Sequence, residues 1–116
     1  MAELKTYISV ILPIKLDWEA SYFVPHTMGE VQVGDRVRVM FANRKYLAVV
    51  SSVGVKPEVD AGRVMSIITV ERELRRIRKE EILLWRNIAE YYLCSIGEVY
   101  KTAYPTEKIS SEENHL

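Results

Sequence analysis

The apolar residues of this chain change period once, near residue 79, and that change narrows the folds open to it. Before it, they alternate with polar residues or gather in short β-branched runs bounded by Gly, Pro, Asn or Asp, the pattern of strands and tight turns. After it, Ile82, Trp85, Ile88 or Ala89, and Tyr92 recur every three or four residues, as one face of a helix does. The strand-like runs are Thr6 to Ile14, Ser21 to Val24, Val31 to Phe41, Tyr46 to Val55 and Arg63 to Val70. Gly34-Asp35 and Asn43-Arg44 read as turns, and Lys56 to Gly62 as a loop. Alternation puts Arg36, Arg38 and Met40 on one strand face and Val37, Val39 and Phe41 on the other. The expected fold is α+β: a small curled antiparallel sheet or partial barrel, then C-terminal helices. Glu80 and Glu81 suit the positive end of the first helix. Ser95 and Glu98 have capping-box spacing for a second, which must stop by Pro105. Trp85, Ile88 and Tyr92 are assigned to the contact between helix and sheet. The domain is expected to span residues 1–105, with the polar, acidic 106–116 read as a linker or tail.

The 116 residues suit a single domain able to bury its own core. No run of 18 apolar residues occurs, so no membrane partner is expected. Met1 to Lys15 lacks the basic start and unbroken apolar stretch of a signal peptide. Cys94 is the single cysteine, so no internal disulfide or Cys-rich zinc site can form, and His26 and His115 lie far apart. No metal or other cofactor is expected, and a reducing cytoplasm is the expected location. Net charge is zero, but residues 36–79 carry 11 basic and 4 acidic side chains, a net of +7 between acidic ends. That distribution allows one positive face, although an ordinary solvated surface gives the same count.

Catalytic signatures are missing. None of the five glycines sits in a phosphate loop or a dinucleotide fingerprint, and there is no G-x-S-x-G. His26 follows Pro25 in a turn, and Asp17 and Glu19, two apart, read as solvated carboxylates rather than an acid/base pair. An enzyme is therefore not expected.

Two blocks resemble the N-terminal domain of PriA-type replication-restart helicases (primosomal protein N′). One holds L-P-I-K-L at Leu12 to Leu16, S-Y-F-V-P at Ser21 to Pro25 and V-G-D-R-V-R-V-M-F at Val33 to Phe41. The other is L-L-W-R-N-I-A-E-Y-Y-L-C-S-I-G-E-V-Y-K-T-A-Y-P, from Leu83 to Pro105. The resemblance implies a 3′ DNA-binding domain that captures the 3′ end of the nascent leading strand at a fork, serving primosome assembly and replication restart. The family's full-length members are ATP-dependent DNA helicases with ATPase lobes and zinc-binding cysteines further downstream. This chain is expected to be a fragment or shortened product without that activity. Forked DNA, and other primosome proteins, are the implied partners.

The family's terminal-nucleotide pocket uses an aromatic–acid–Tyr triplet, an F-G pair and a basic residue in a later strand. By position these fall on Ala20, Ser21 and Tyr22, on Phe41 and Ala42, and on Arg63. Ala20 lacks the ring, Ser21 the carboxylate, and Ala42 adds a methyl group. Trp18, two residues before Ala20, is expected on the same face of the strand, where it can replace the missing ring, or it can pack in the core. Arg38 is the further DNA-contact candidate, on the basic face of its strand. Tyr22 and Phe41 are either stacking rings or core, and Arg63 either a phosphate contact or a solvated strand end. Arg72, Arg75, Arg76, Arg78 and Lys79 are either a solvated lead-in to the helix or a phosphate track. Competing readings are a small barrel that docks onto helicase lobes or other replication proteins, and an RNA-binding barrel suggested by the G-D-R-V-R-V strand.

Overall fold

The pairing of Phe41 with Arg44 across a two-residue turn organises the sheet. In the computed structural model, which describes residues 6–54 and 64–105, Ala42 and Asn43 both take left-handed backbone angles, φ 52° and 67°. Left-handed angles at both central positions suit the twist of the strands they join. The turn is thus Ala42-Asn43, one residue earlier than the sequence suggests. It joins β3 (Arg36–Phe41) to β4 (Arg44–Val53). With β1 (Thr6–Ile11), β2 (Ala20–Val24) and β5 (Thr69–Val70), these form an antiparallel sheet in the order β2-β1-β4-β3-β5. β1 is shorter than its β-branched run because the chain bends after Ile11. β5 is only the end of the expected last strand, whose Arg63 and preceding loop lie outside the described residues.

The sheet curls. Residues 65–67 lead directly into β5 at one edge, yet they hydrogen-bond to Phe23 of β2 at the other. This near-closure encloses Ile8, Val10, Tyr22, Val37, Val39 and Val50 as an inner core. A second core lies where the helices cover the sheet. It holds Ile11, Val49, Ile77, Ile82, Trp85 and Tyr100. The expected α+β fold, a curled antiparallel sheet followed by helices, is the fold observed.

α1 (Lys79–Tyr92) starts with Glu81 accepting from the Arg78 backbone N–H at 3.0 Å. α2 (Ile96–Ala103) starts with the capping box foreseen from Ser95 and Glu98, and ends before Pro105. Gly97 lets α2 seat against the bend after β1: a Cβ there would collide with the carbonyl oxygens of Leu12 and Ile14. Trp85 stacks on Tyr100 with centroids 5.3 Å apart, and the Tyr100 hydroxyl donates to the Leu47 carbonyl at 3.0 Å. These contacts fix α1 on the sheet.

Two expectations about faces fail. Tyr92 is 68% exposed, because α1 ends there and its buried face is Ile82, Trp85 and Ala89. Arg36, expected on an open basic face, is 1% exposed. The outer face of β3 is roofed there by the chain around α2, and the Arg36 guanidinium lies 4.8 Å from the centre of the Tyr104 ring.

Candidate nucleic-acid interface

β2 begins only at Ala20, so the residues before it are bent and strand alternation does not reach Trp18. Ala20 is buried, whereas Trp18 is 57% exposed and lies against Phe41, ring centroids 5.8 Å apart at 60°. The two residues do not share a face. Trp18 instead reaches the end of β3 across space and forms, with Phe41, an aromatic rim.

That rim borders an open groove of about 1000 Å3. Trp18, Ser21, Tyr22, Met40, Phe41 and Ala42 line its sheet side. Arg86 of α1 and residues 94–96 line its helix side, with Asp17 and Glu19 between. Five of the seven sequence candidates therefore meet here: Trp18, Ser21, Tyr22, Phe41 and Ala42. Their roles differ. Ser21 is half-buried in β2, and Ala42 is exposed in the turn. Tyr22 is 3% exposed and belongs to the inner core. Its hydroxyl donates to the Met40 carbonyl at 2.7 Å, and burial pushes its phenol up to about 12. A base can stack on Trp18 far more readily than on so enclosed a ring.

The other two candidates stand apart. Arg38 does not line the groove; its Nε donates to Glu71 at 2.9 Å. Arg63 lies outside the described residues, although Val64 and Met65, which follow it, line the groove.

The arginines before α1 are engaged with the protein itself. Arg72 donates to the carbonyls of Met28 and Glu30, and Arg76 pairs with Asp35 at 2.8 Å. Arg75 pairs with Glu81 at 3.2 Å and donates to the Tyr104 hydroxyl. The hydrogen bond from Arg75, outweighing partial burial and helped by the Arg78 N–H and the Tyr104 hydroxyl, holds the Glu81 carboxyl at about 2. These three arginines brace the approach to α1 and are engaged with the protein rather than aligned as a phosphate track.

Two side chains that sequence reasoning did not bring to a site, Ser51 and Arg86, are central here through Glu19. Glu19 accepts from Ser51 at 2.6 Å and from Arg86 Nη1 at 2.7 Å. No sequence signal joins residues 19, 51 and 86. Among the described residues, no helix is long and apolar enough to cross a membrane. Nor does any group of three or more His, Cys, Asp or Glu side chains stand ready to hold a metal ion.

No curated protein matches the chain. A family model described as the 3′ DNA-binding domain (3′BD) of PriA matches residues 9–105, a span that holds both blocks of the resemblance and all of the groove's lining. The match is to a domain that binds DNA, and this chain belongs to the PriA 3′ DNA-binding domain family.

Proposed function

We propose that the chain is a non-catalytic module that recognises replication forks by taking the 3′ end of the nascent leading strand into the groove beside Trp18 and Phe41. The observation that carries this is the convergence of Trp18, Ser21, Phe41 and Ala42 on one groove, within a chain of a DNA-binding family. An exposed ring is a platform for the last base, and such stacking is worth roughly 1–3 kcal/mol. The Ser21 hydroxyl can accept from, or donate to, a terminal hydroxyl. In this reading residues 1–105 form the binding domain, 106–116 connect it onward, and the module acts in the cytoplasm with other primosome proteins to restart replication. Arg63 remains a proposed phosphate contact, and Arg38, paired with Glu71, is the weaker of the two basic candidates.

The test is competition between two forks that differ only in a 3′ hydroxyl or a 3′ phosphate. Ser21 carries no charge to repel a phosphate, so the wild type should favour the hydroxyl by less than about tenfold. Ser21→Asp should raise that preference. Equal binding of both ends by both proteins would refute end recognition at this groove.

A second reading, docking of a partner protein, is favoured by the outer side of α1. There Leu83, Leu84, Tyr91 and Tyr92 are exposed, and Leu93 follows them. Serine in place of Leu84 and Tyr91 would leave DNA binding intact and abolish docking.

A further inference from the structure

A groove for a nucleic-acid end needs a cation for the backbone, and the sheet side of this one presents none among the described residues. Arg86 is the single basic side chain among the described lining residues, and it comes from the helix. Its position is built. Trp85, the preceding residue, is buried in the second core and fixes the helix turn that carries Arg86. Glu19 holds Nη1 at 2.7 Å, and Glu19 is itself held by the Ser51 hydroxyl at 2.6 Å. Ser51 is free to do this because of an irregularity in the sheet. The β1–β4 register runs from Ser9↔Ser52 to Val10↔Val50, so Ser51 is the extra residue of a bulge. Bulges re-aim side chains in this way.

Of the five N–H donors of a guanidinium, Glu19 takes one, and it is the hydrogen-bond partner of Arg86 among the described residues. The Arg86 side chain remains 43% exposed. Its other edge can therefore donate to a phosphate oxygen while Glu19 keeps the near edge. Asp17 and Glu19 meanwhile make the described lining net acidic. A strand whose phosphates pass near Asp17 instead meets a carboxylate.

Building on the DNA-end reading above, we propose that Arg86 is the groove's phosphodiester contact and that Glu19, set by Ser51, positions it and selects against strands that do not reach it. The contact is specific to this side of the site: it is supplied by α1, not by the strands that carry the aromatic rim.

The experiment is a fluorescence-anisotropy titration across a salt series, with a 3′-hydroxyl fork and an end-less duplex as probes. Wild type, Arg86→Ala, Arg86→Lys and Glu19→Gln are compared, with thermal melts alongside. Arg86→Ala should weaken fork binding about tenfold and make the slope of log K against log salt shallower by about 0.7–0.9, the loss of one phosphate contact. Arg86→Lys should keep the slope. Glu19→Gln should tighten duplex binding more than fork binding, narrowing the difference between them. If Arg86→Ala binds the fork with wild-type affinity and slope, Arg86 is not the contact, while the DNA reading stands. Weaker binding with an unchanged slope and a lower melting temperature would reduce Arg86 to a structural role. If none of the four proteins binds either probe, the DNA reading itself falls.

Discussion

Replacing Ala42 with glycine should make the domain more stable, although it removes a methyl group. Ala42 holds φ 52° at the first position of the β3–β4 turn. For an L-residue this conformation brings Cβ close to the following carbonyl oxygen and costs roughly 1–2 kcal/mol. Glycine removes that cost but gives the unfolded chain more freedom, which returns about 0.4–1 kcal/mol. Ala42 is exposed, so little burial is lost. The net gain should be about 0.5–1 kcal/mol, or a rise of roughly 2–5 °C in Tm for a domain of this size. Asn43, at φ 67°, is a residue type that tolerates the left-handed region, so Asn43→Ala should move Tm the other way. Thermal and urea melts followed by circular dichroism would read both changes. A Tm for Ala42→Gly at or below that of the wild type would refute the reasoning, since the turn would then not be carrying left-handed strain. The same substitution restores the Phe-Gly pair of the family's pocket, and fork affinity measured on the same sample shows whether the methyl group obstructs the groove.

Tyr22→Phe keeps the buried ring but removes the hydroxyl bonded to the Met40 carbonyl. It should cost about 1 kcal/mol of stability and leave fork affinity unchanged; a loss of affinity at constant stability would make the hydroxyl a ligand contact. Acid should weaken the clamp at the start of α1. The Glu81 carboxyl lies at about 2, below its ordinary 4.5, so its contribution is complete above about pH 4.5 and disappears as the pH falls towards 2. Because Arg75 is largely in solvent, screening reduces that contribution to about 1 kcal/mol. Urea midpoints from pH 6 to pH 2 should therefore fall further for the wild type than for Glu81→Gln, and parallel curves would contradict this.

Local chemistry wrote the helical half of the fold into the sequence. The Ser95–Glu98 capping box, the acidic start of α1 and the stop before Pro105 each depend on residues within a few positions of one another, and each is present. The inward face of β3 is legible for the same reason, since Val37, Val39 and Phe41 need only a period of two. The family signature lies in two such blocks, which is why membership can be read without coordinates.

Whatever depended on a partner distant in the chain was decided by tertiary structure. The hairpin turn falls on Ala42-Asn43 because the ladder aligns Val37 with Ala48, and composition near the turn allows a neighbouring choice. Arg36 is hidden and Tyr92 exposed because of where the chain around α2 lies and where α1 stops, neither of which alternation or helical period encodes. Most of the groove candidates were legible as positions in a motif, but their states were not: Tyr22 became core and Trp18 a rim. Glu19, Ser51 and Arg86 come from a bend, a bulge and a helix, and only folding brings their charges and hydroxyl within hydrogen-bond reach. Sequence periodicity reports which way a side chain faces along its own element, whereas a binding site depends on which elements meet.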